Sequence, residues 1–183
     1  IQGVGGLGIN AVAVAREMGV AQTIVIDAIP SRLELARAFG AEQALLLSEF
    51  PTAEDRVRRV RELTDGWGAD AVLEVTGLPA VVPEGLAMLA QGGVYLEVGN
   101  INQGKRVEID PSVLVHGGKS LLGIMWYDPD CLKAALDLLS TKADVYPFER
   151  ILSHHYPLKH IDQAFADQDS GNVQRAALLP WAD

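Results

Sequence analysis

The sequence predicts an open α/β fold in which a parallel sheet carries helices on both faces. Three observations carry this reading. Short apolar runs rich in β-branched residues alternate with amphipathic helical stretches, the pattern of successive β-α-β units. The chain opens on a glycine-rich turn, IQGVGGLGIN, that leads directly into a helix. Two later apolar runs end at a glycine, where an open parallel sheet receives ligands beyond its strand ends.

Residues 1–2 supply only the end of a strand before the turn, so the sequence reads as a fragment whose first strand is truncated. Residues 7–18 follow as a helix. Its stripe is Leu7, Ala11, Val14 and Met18, but Ile9, Val12 and Ala13 lie elsewhere on the wheel, so it demands cover on more than one side. Residues 23–26 form a buried strand ending in Asp27. Ser31-x-x-Glu34 has the spacing of a capping box, with Leu35 and Phe39 turned inward and Gly40 as the stop. Residues 44–47 form the next strand. Thr52-x-x-Asp55 opens a helix whose apolar line is Val57, Val60 and Leu63, closed by Asp65-Gly66.

That helix carries Arg56, Arg58, Arg59 and Arg61, which invite a phosphate. Glu54 and Asp55 stand four residues before Arg58 and Arg59, the spacing of exposed helical ion pairs, and the face is assigned to solvent. Residues 71–75 form a strand leading to Thr76-Gly77, residues 79–90 a helix, and residues 94–98 a strand leading to Gly99-Asn100. Residues 106–109 and 120–125 are further strand candidates, the latter at a sheet edge. Asp128 caps a helix from Pro129 with Leu132, Ala135, Leu136 and Leu139 on its stripe. Beyond it the alternation breaks down. A strand at 151–156, a helix at 160–166 and a strand at 174–179 read as a separate unit without its own core.

Composition narrows the function. With 183 residues, 49% of them apolar, the chain accommodates one full α/β domain plus part of another. A net charge of −9 opposes nucleic acid or an anionic membrane surface and favours small molecules. The single cysteine, Cys131, excludes an internal disulfide and a multi-cysteine metal knot, and points to a reducing cytoplasm. No apolar run approaches the roughly 20 residues that span a bilayer.

Gly3-x-Gly5-x-x-Gly8 fits a dinucleotide fingerprint. Gly3 permits the tight turn, Gly5 lets a pyrophosphate approach the main chain, and Gly8 lets helix and strand pack closely. Free N–H groups and the helix dipole then face the phosphates. Alone, the pattern also suits a packing turn or the loop of a methyltransferase that uses S-adenosylmethionine. Asp27 strengthens it, standing nineteen residues after Gly8 at a strand end, where its carboxylate accepts both hydroxyls of an adenosine ribose. A carboxylate there repels a 2′-phosphate by about 4 kcal/mol per charge pair at ~4 Å and an effective dielectric of about 20, favouring NAD over NADP. Arg32 either bonds the same ribose or softens that discrimination. Gly77 and Gly99 leave bare main chain at two strand ends. Glu74 and Glu97 are read as hydrogen-bonded or solvent-facing, and His116, His154, His155 and His160 as structural. No catalytic residue and no metal ligand is assigned.

In order, the stretches IQGVGGLGINAVAVAREMG, IVIDAIPSRLELARAFGA, DAVLEVTG, GGVYLEVGN and YPLKHIDQAF, with the late Arg175, resemble the medium-chain, typically zinc-dependent, alcohol dehydrogenases over nearly the whole chain. The resemblance implies a doubly wound Rossmann domain over residues 1–125 and, over 126–183, the C-terminal return segment of a GroES-like catalytic domain. It implies an NAD site: Gly3, Gly5, Gly6 and Gly8 at the phosphates, Leu7 near the nicotinamide, Asp27 and Arg32 at the ribose, and Thr76 with Gly77 beside the adenine. Main-chain groups of Val98, Gly99, Ile124 and Trp126 would meet the carboxamide, and Arg175 the pyrophosphate. It further implies hydride transfer between an alcohol or aldehyde and nicotinamide, zinc held by ligands outside this chain, no turnover by this piece alone, and a homodimer or homotetramer joined near residues 106–109 and 120–125. The alternatives are a zinc-free quinone or enoyl reductase of the same superfamily, which commonly uses NADPH, the methyltransferase, and a non-catalytic nucleotide-binding module.

Overall fold

The computed structural model describes residues 1–182. Five short strands lie parallel in one sheet: β1 (Ile24–Asp27), β2 (Gln43–Leu46), β3 (Ala69–Glu74), β4 (Leu89–Glu97) and β5 (Ser120–Gly123). β1 pairs with β2, and β3, β4 and β5 pair in that order. Gln2 joins the two halves, bridging Ile26 on one side and Glu74 on the other. Its N–H donates to the Leu73 carbonyl (2.8 Å), its carbonyl accepts from Val75 (3.1 Å), and the N–H of Gly3 donates to Ile26 (2.8 Å). The opening stub is therefore the central strand, and the order across the sheet is β2, β1, stub, β3, β4, β5. Parallel strands end on one edge, so Gly3, Asp27, Glu74 and Glu97 all arrive at the same rim.

Helices cover both faces. Val25 packs with Val4, Ile9, Val12, Leu35 and Phe39, while its neighbour Ile26 packs with Val60, Val72, Leu86 and Tyr95, as the alternation of a strand requires. The first cluster is roofed by α1 (Gly6–Glu17) and α2 (Pro30–Ala38), the second by α3 (Ala53–Leu63) and α4 (Val81–Met88). A glutamine in the central strand is tolerated because Gln2 donates to the Val81 carbonyl (3.0 Å) and accepts from the Tyr95 hydroxyl (3.0 Å).

The structure corrects several expectations. α1 buries Gly8, Ile9, Val12 and Ala13 and leaves Leu7, Val14 and Met18 exposed. Small residues let that face approach the sheet, so the expected stripe points away from it. The capping box at Ser31 does not form. Helix α2 opens at Pro30, whose fixed φ suits the first helical position, and Ile29 is the cap. Thr52 does cap α3, accepting from the Asp55 N–H (3.1 Å). Arg58 pairs with Asp55 and Arg59 with Glu62 in the solvent, but Arg56 turns inward, its guanidinium forked onto Glu84 of α4 at 2.8 and 2.7 Å.

Residues 106–109 form no strand, and the short helix α5 (Ser112–Gly117) follows instead. Helix α6 (Pro129–Lys142) forms as expected but buries nothing: Leu132, Leu136 and Leu139 are exposed, and Asp128 makes no side-chain cap bond. The tail comprises β6 (His154–Pro157), α7 (Ile161–Ser170) and β7 (Ala176–Leu179), with β6 and β7 paired in parallel apart from the main sheet. The segment between α6 and β6 joins the first cluster, where Tyr146 and Phe148 pack their rings on Phe39 at 5.9 and 5.5 Å. Among the described residues no helix is long and apolar enough to cross a membrane.

Candidate functional site

The three motif glycines have three distinct reasons. Gly3 has φ +91°, and a Cβ there would lie 2.7 Å from Thr76 Cγ2; a Cβ on Gly8 would lie 2.0 Å from the Gly3 carbonyl oxygen. Only glycine permits this turn and this helix approach. Gly5 faces open space, the nearest atom being Arg32 Nη1 at 4.0 Å. That opening lies at the N-terminus of α1, where unpaired N–H groups favour an anion.

Asp27 closes the turn from the neighbouring strand. Buried to 7% exposure, its carboxylate accepts from the Val4 N–H (2.9 Å, Oδ2) and from the Ile29 N–H (2.9 Å, Oδ1). One side chain thus fixes both the glycine turn and the start of α2. A carboxylate offers about four acceptor sites, so each oxygen keeps one for a ligand. Asp27, Gly3, Gly5, Arg32 and Thr76 line one crevice of about 380 Å³, walled by Ile26, Val75, Leu78 and the Arg56–Glu84 pair. Arg32 Nε is buried there without a partner among the described residues.

From the opposite side Arg175 brings its guanidinium over Gly6, with carbon and nitrogen atoms 3.1–3.4 Å from where a Cβ would stand. The structure therefore assembles Gly3, Gly5, Gly6, Gly8, Asp27, Arg32, Thr76 and Arg175 at one rim. Leu7, Val98, Ile124 and Trp126 do not line the crevice. Leu7 is exposed on the first turn of α1, and Ile124 is held to β4 by its N–H to the Glu97 carbonyl (2.9 Å). Trp126 projects into solvent at 82% exposure.

Glu74 organises the next strand ends. Fully buried, its Oε1 accepts from the Thr76 N–H (2.5 Å), the Thr76 hydroxyl (2.5 Å) and the Gly77 N–H (2.8 Å). Its Oε2 accepts from the Gly99 N–H (3.2 Å) and the Asn100 amide (3.1 Å). The loops after β3 and β4 are thereby tied together, and a Cβ on Gly77 or Gly99 would strike the other's main chain at 2.8 or 2.4 Å. Glycine is required at both by this contact, a packing reason absent from the sequence reading. Glu97, beside Glu74, has its carboxyl raised above the ordinary range by burial first and by the neighbouring Glu74 carboxylate second.

Three pairings escaped the sequence reading: Glu74 with the loops of Thr76 and Asn100, although Glu74 was expected to be hydrogen-bonded or solvent-facing, Arg56 with Glu84, and Gln174, whose amide donates to the Val4 carbonyl (2.9 Å). Only the first left a signal, an acidic residue inside the apolar run DAVLEV. A wider groove of about 650 Å³ between α3 and α4 lies away from the strand ends and the glycine turn.

A family model described as zinc-binding dehydrogenase matches residues 6–141, most of the chain. The chain belongs to the zinc-binding dehydrogenase family. Among relatives, an L-threonine 3-dehydrogenase of Bacillus subtilis is 31% identical over 97% of this chain and 50% of its own length. An alcohol dehydrogenase of Thermotoga maritima superposes with a TM-score of 0.88 at 30% identity, over 97% of this chain and 48% of that one. An alcohol dehydrogenase zinc-binding domain protein of Burkholderia ambifaria gives 0.83 at 37% identity, over 96% and 46%. This zinc-binding dehydrogenase chain thus spans about half the length of the curated relatives it matches. Among its described residues no three His, Cys, Asp or Glu side chains converge as a metal site.

Proposed function

We propose that this chain is the cofactor-binding half of an NAD-dependent, zinc-type alcohol dehydrogenase. The observation that carries the reading is Asp27, its carboxylate bonded to the glycine turn through Val4 at 2.9 Å with acceptor sites left toward the crevice. The residues fit a dinucleotide. Gly5 offers unfilled space at a helix N-terminus, Arg175 crosses the turn at Gly6, and Arg32 Nε lacks a partner. Asp27 and Arg32 would hold the adenosine ribose, Gly3, Gly5, Gly6, Gly8 and Arg175 the pyrophosphate, and Thr76 and Gly77 the adenine. Leu7 and main-chain groups of Val98, Gly99, Ile124 and Trp126 would meet the nicotinamide end. Bound NAD supplies a hydride acceptor.

The remainder of the reading comes from the family. Zinc would be held by ligands outside this chain and would polarise the oxygen of a small alcohol or aldehyde. The Rossmann domain would end near residue 125, residues from 126 onward returning to the catalytic domain. The enzyme would be cytoplasmic and a homodimer or homotetramer through the β5 edge.

Titration of NADH and NADPH followed by cofactor fluorescence tests the reading. NADH is expected to bind at least about tenfold more tightly, since Asp27 repels a 2′-phosphate. A zinc-free reductase using NADPH is favoured by one feature, the unpartnered Arg32 beside Asp27. Preference for NADPH in the same titration would overturn the NAD assignment, and binding of neither would end the dinucleotide reading.

A further inference from the structure

Val4 is gripped at both of its main-chain polar groups by side chains from distant parts of the chain. Its N–H donates to Asp27 Oδ2 (2.9 Å), and its carbonyl accepts from Gln174 Nε2 (2.9 Å) across 170 residues. Val4 itself is fully buried and immediately precedes Gly5, the open position of the turn. Gln174 is buried to 8% exposure and is held in turn by the tail: its N–H donates to Ser153 Oγ (2.9 Å) and its carbonyl accepts from Gln168 Nε2 (3.4 Å). Gly171, at the end of α7, packs on Ile29 beside the second Asp27 contact.

We infer that Gln174 is a positioning residue: with Asp27 it clamps Val4, and so couples docking of the C-terminal tail to the shape of the phosphate-facing turn. The inference rests on the proposed dinucleotide site. A buried glutamine is costly unless its amide is satisfied, and here the satisfied partner is the one carbonyl that fixes the peptide leading into Gly5. Arg175, the next residue, reaches Gly6, so the same tail segment both shapes the turn and supplies it with a cation. The adenosine end is fixed separately by Asp27 and Thr76. Loss of the clamp should therefore weaken ligands that carry a pyrophosphate and spare those that do not.

The test uses the intact protein with Gln174→Met, which keeps length and burial but removes the donor, and Gln174→Glu, which opposes the Val4 carbonyl with an acceptor. The main-chain bonds of residue 174 to Ser153 and Gln168 remain in both. Peptide hydrogen exchange over the glycine turn in ligand-free protein is expected to accelerate by about five- to tenfold, the equivalent of one lost hydrogen bond. ADP-ribose, read by displacement of NADH fluorescence, is expected to weaken by about the same factor while adenosine is unchanged within twofold. A folded Gln174→Met protein with unchanged exchange or unchanged ADP-ribose affinity overturns the inference, as does equal weakening of adenosine, which marks general loosening. Failure of the unmodified protein to take up ADP-ribose sinks the functional reading, and the coupling falls with it; failure of the variants to differ from it sinks the inference alone.

Discussion

Two acidic side chains end strands on either side of the central stub, and they are used in opposite ways. Glu74 accepts five hydrogen bonds, three on one oxygen and two on the other, all from the two loops it joins. Asp27 accepts two, one on each oxygen, and lines a crevice. Against the roughly four acceptor sites of a carboxylate, Glu74 is saturated and Asp27 has capacity to spare. Burial alone does not separate a structural carboxylate from a ligand-binding one, since both are nearly inaccessible. The count of internal donors does.

The most forceful way to break the comparison is to remove the saturated partner. Glu74→Ala leaves the N–H groups of Thr76 and Gly77 and the Thr76 hydroxyl without their carboxylate acceptor in a partly buried setting, while the Gly99 N–H keeps the main-chain carbonyl of residue 74 and the Asn100 amide keeps Glu97. A loss of about 3–5 kcal/mol in unfolding free energy is expected, the scale of a disrupted buried charged network. Urea denaturation measures it. A loss below about 1 kcal/mol would mean that water replaces the carboxylate freely, and that saturation is no guide to its role.

Asp27→Asn reverses the balance between stability and binding. The amide oxygen still accepts one main-chain N–H, so unfolding stability should fall by no more than about 2 kcal/mol. NADH affinity should fall by about 10- to 100-fold, as charge-assisted bonds to the ribose hydroxyls are lost, and discrimination against NADPH should narrow because the repelling charge is gone. Fluorescence titration with both cofactors reads the two binding effects, and urea denaturation reads the stability. An Asp27→Asn protein that binds NADH like the unmodified one would place Asp27 with Glu74, as a purely structural carboxylate.

The asymmetry between these residues also explains what could be read in advance. The glycines, Asp27 and the strand ends were legible because a strand-to-helix turn is local: fixed spacing carries its geometry. Arg56 was not, because the spacing rule for helical ion pairs sees only neighbours three or four residues away, whereas its partner Glu84 lies on another helix. Gln174 is still more remote from Val4. Residues 106–109 have strand-like composition, but β5 takes the place beside β4, so they find no ladder there. Helix α5, six residues long, is too short for a period to show. The apolar run predicts a strand from Val94, yet β4 begins at Leu89 and passes through Gly92-Gly93 with a register shift opposite β3. For α1, the packing face is Gly8, Ile9, Val12 and Ala13, where small residues sit beside larger ones, and not the stripe of Leu7, Val14 and Met18.

A gentler test of the same contrast lies in Glu97, which shares its surroundings with Glu74. Glu97 accepts from the Asn100 N–H (3.0 Å) and side-chain amide (3.1 Å), and the same amide donates to Glu74. Burial, and then the neighbouring Glu74 carboxylate, raise the Glu97 carboxyl, so the folded protein binds this proton more tightly than the unfolded chain does. The stability it contributes is complete below the unfolded carboxylate value and is lost as pH rises through the higher folded one. Glu97→Gln keeps an uncharged group in place and should flatten that decline, so that the variant gains on the unmodified protein at neutral pH while the two converge in acid. Thermal unfolding across this window measures the slopes. Parallel curves would mean that Glu97 ionises freely beside Glu74, and that the five donors around Glu74 screen it more completely than the geometry implies.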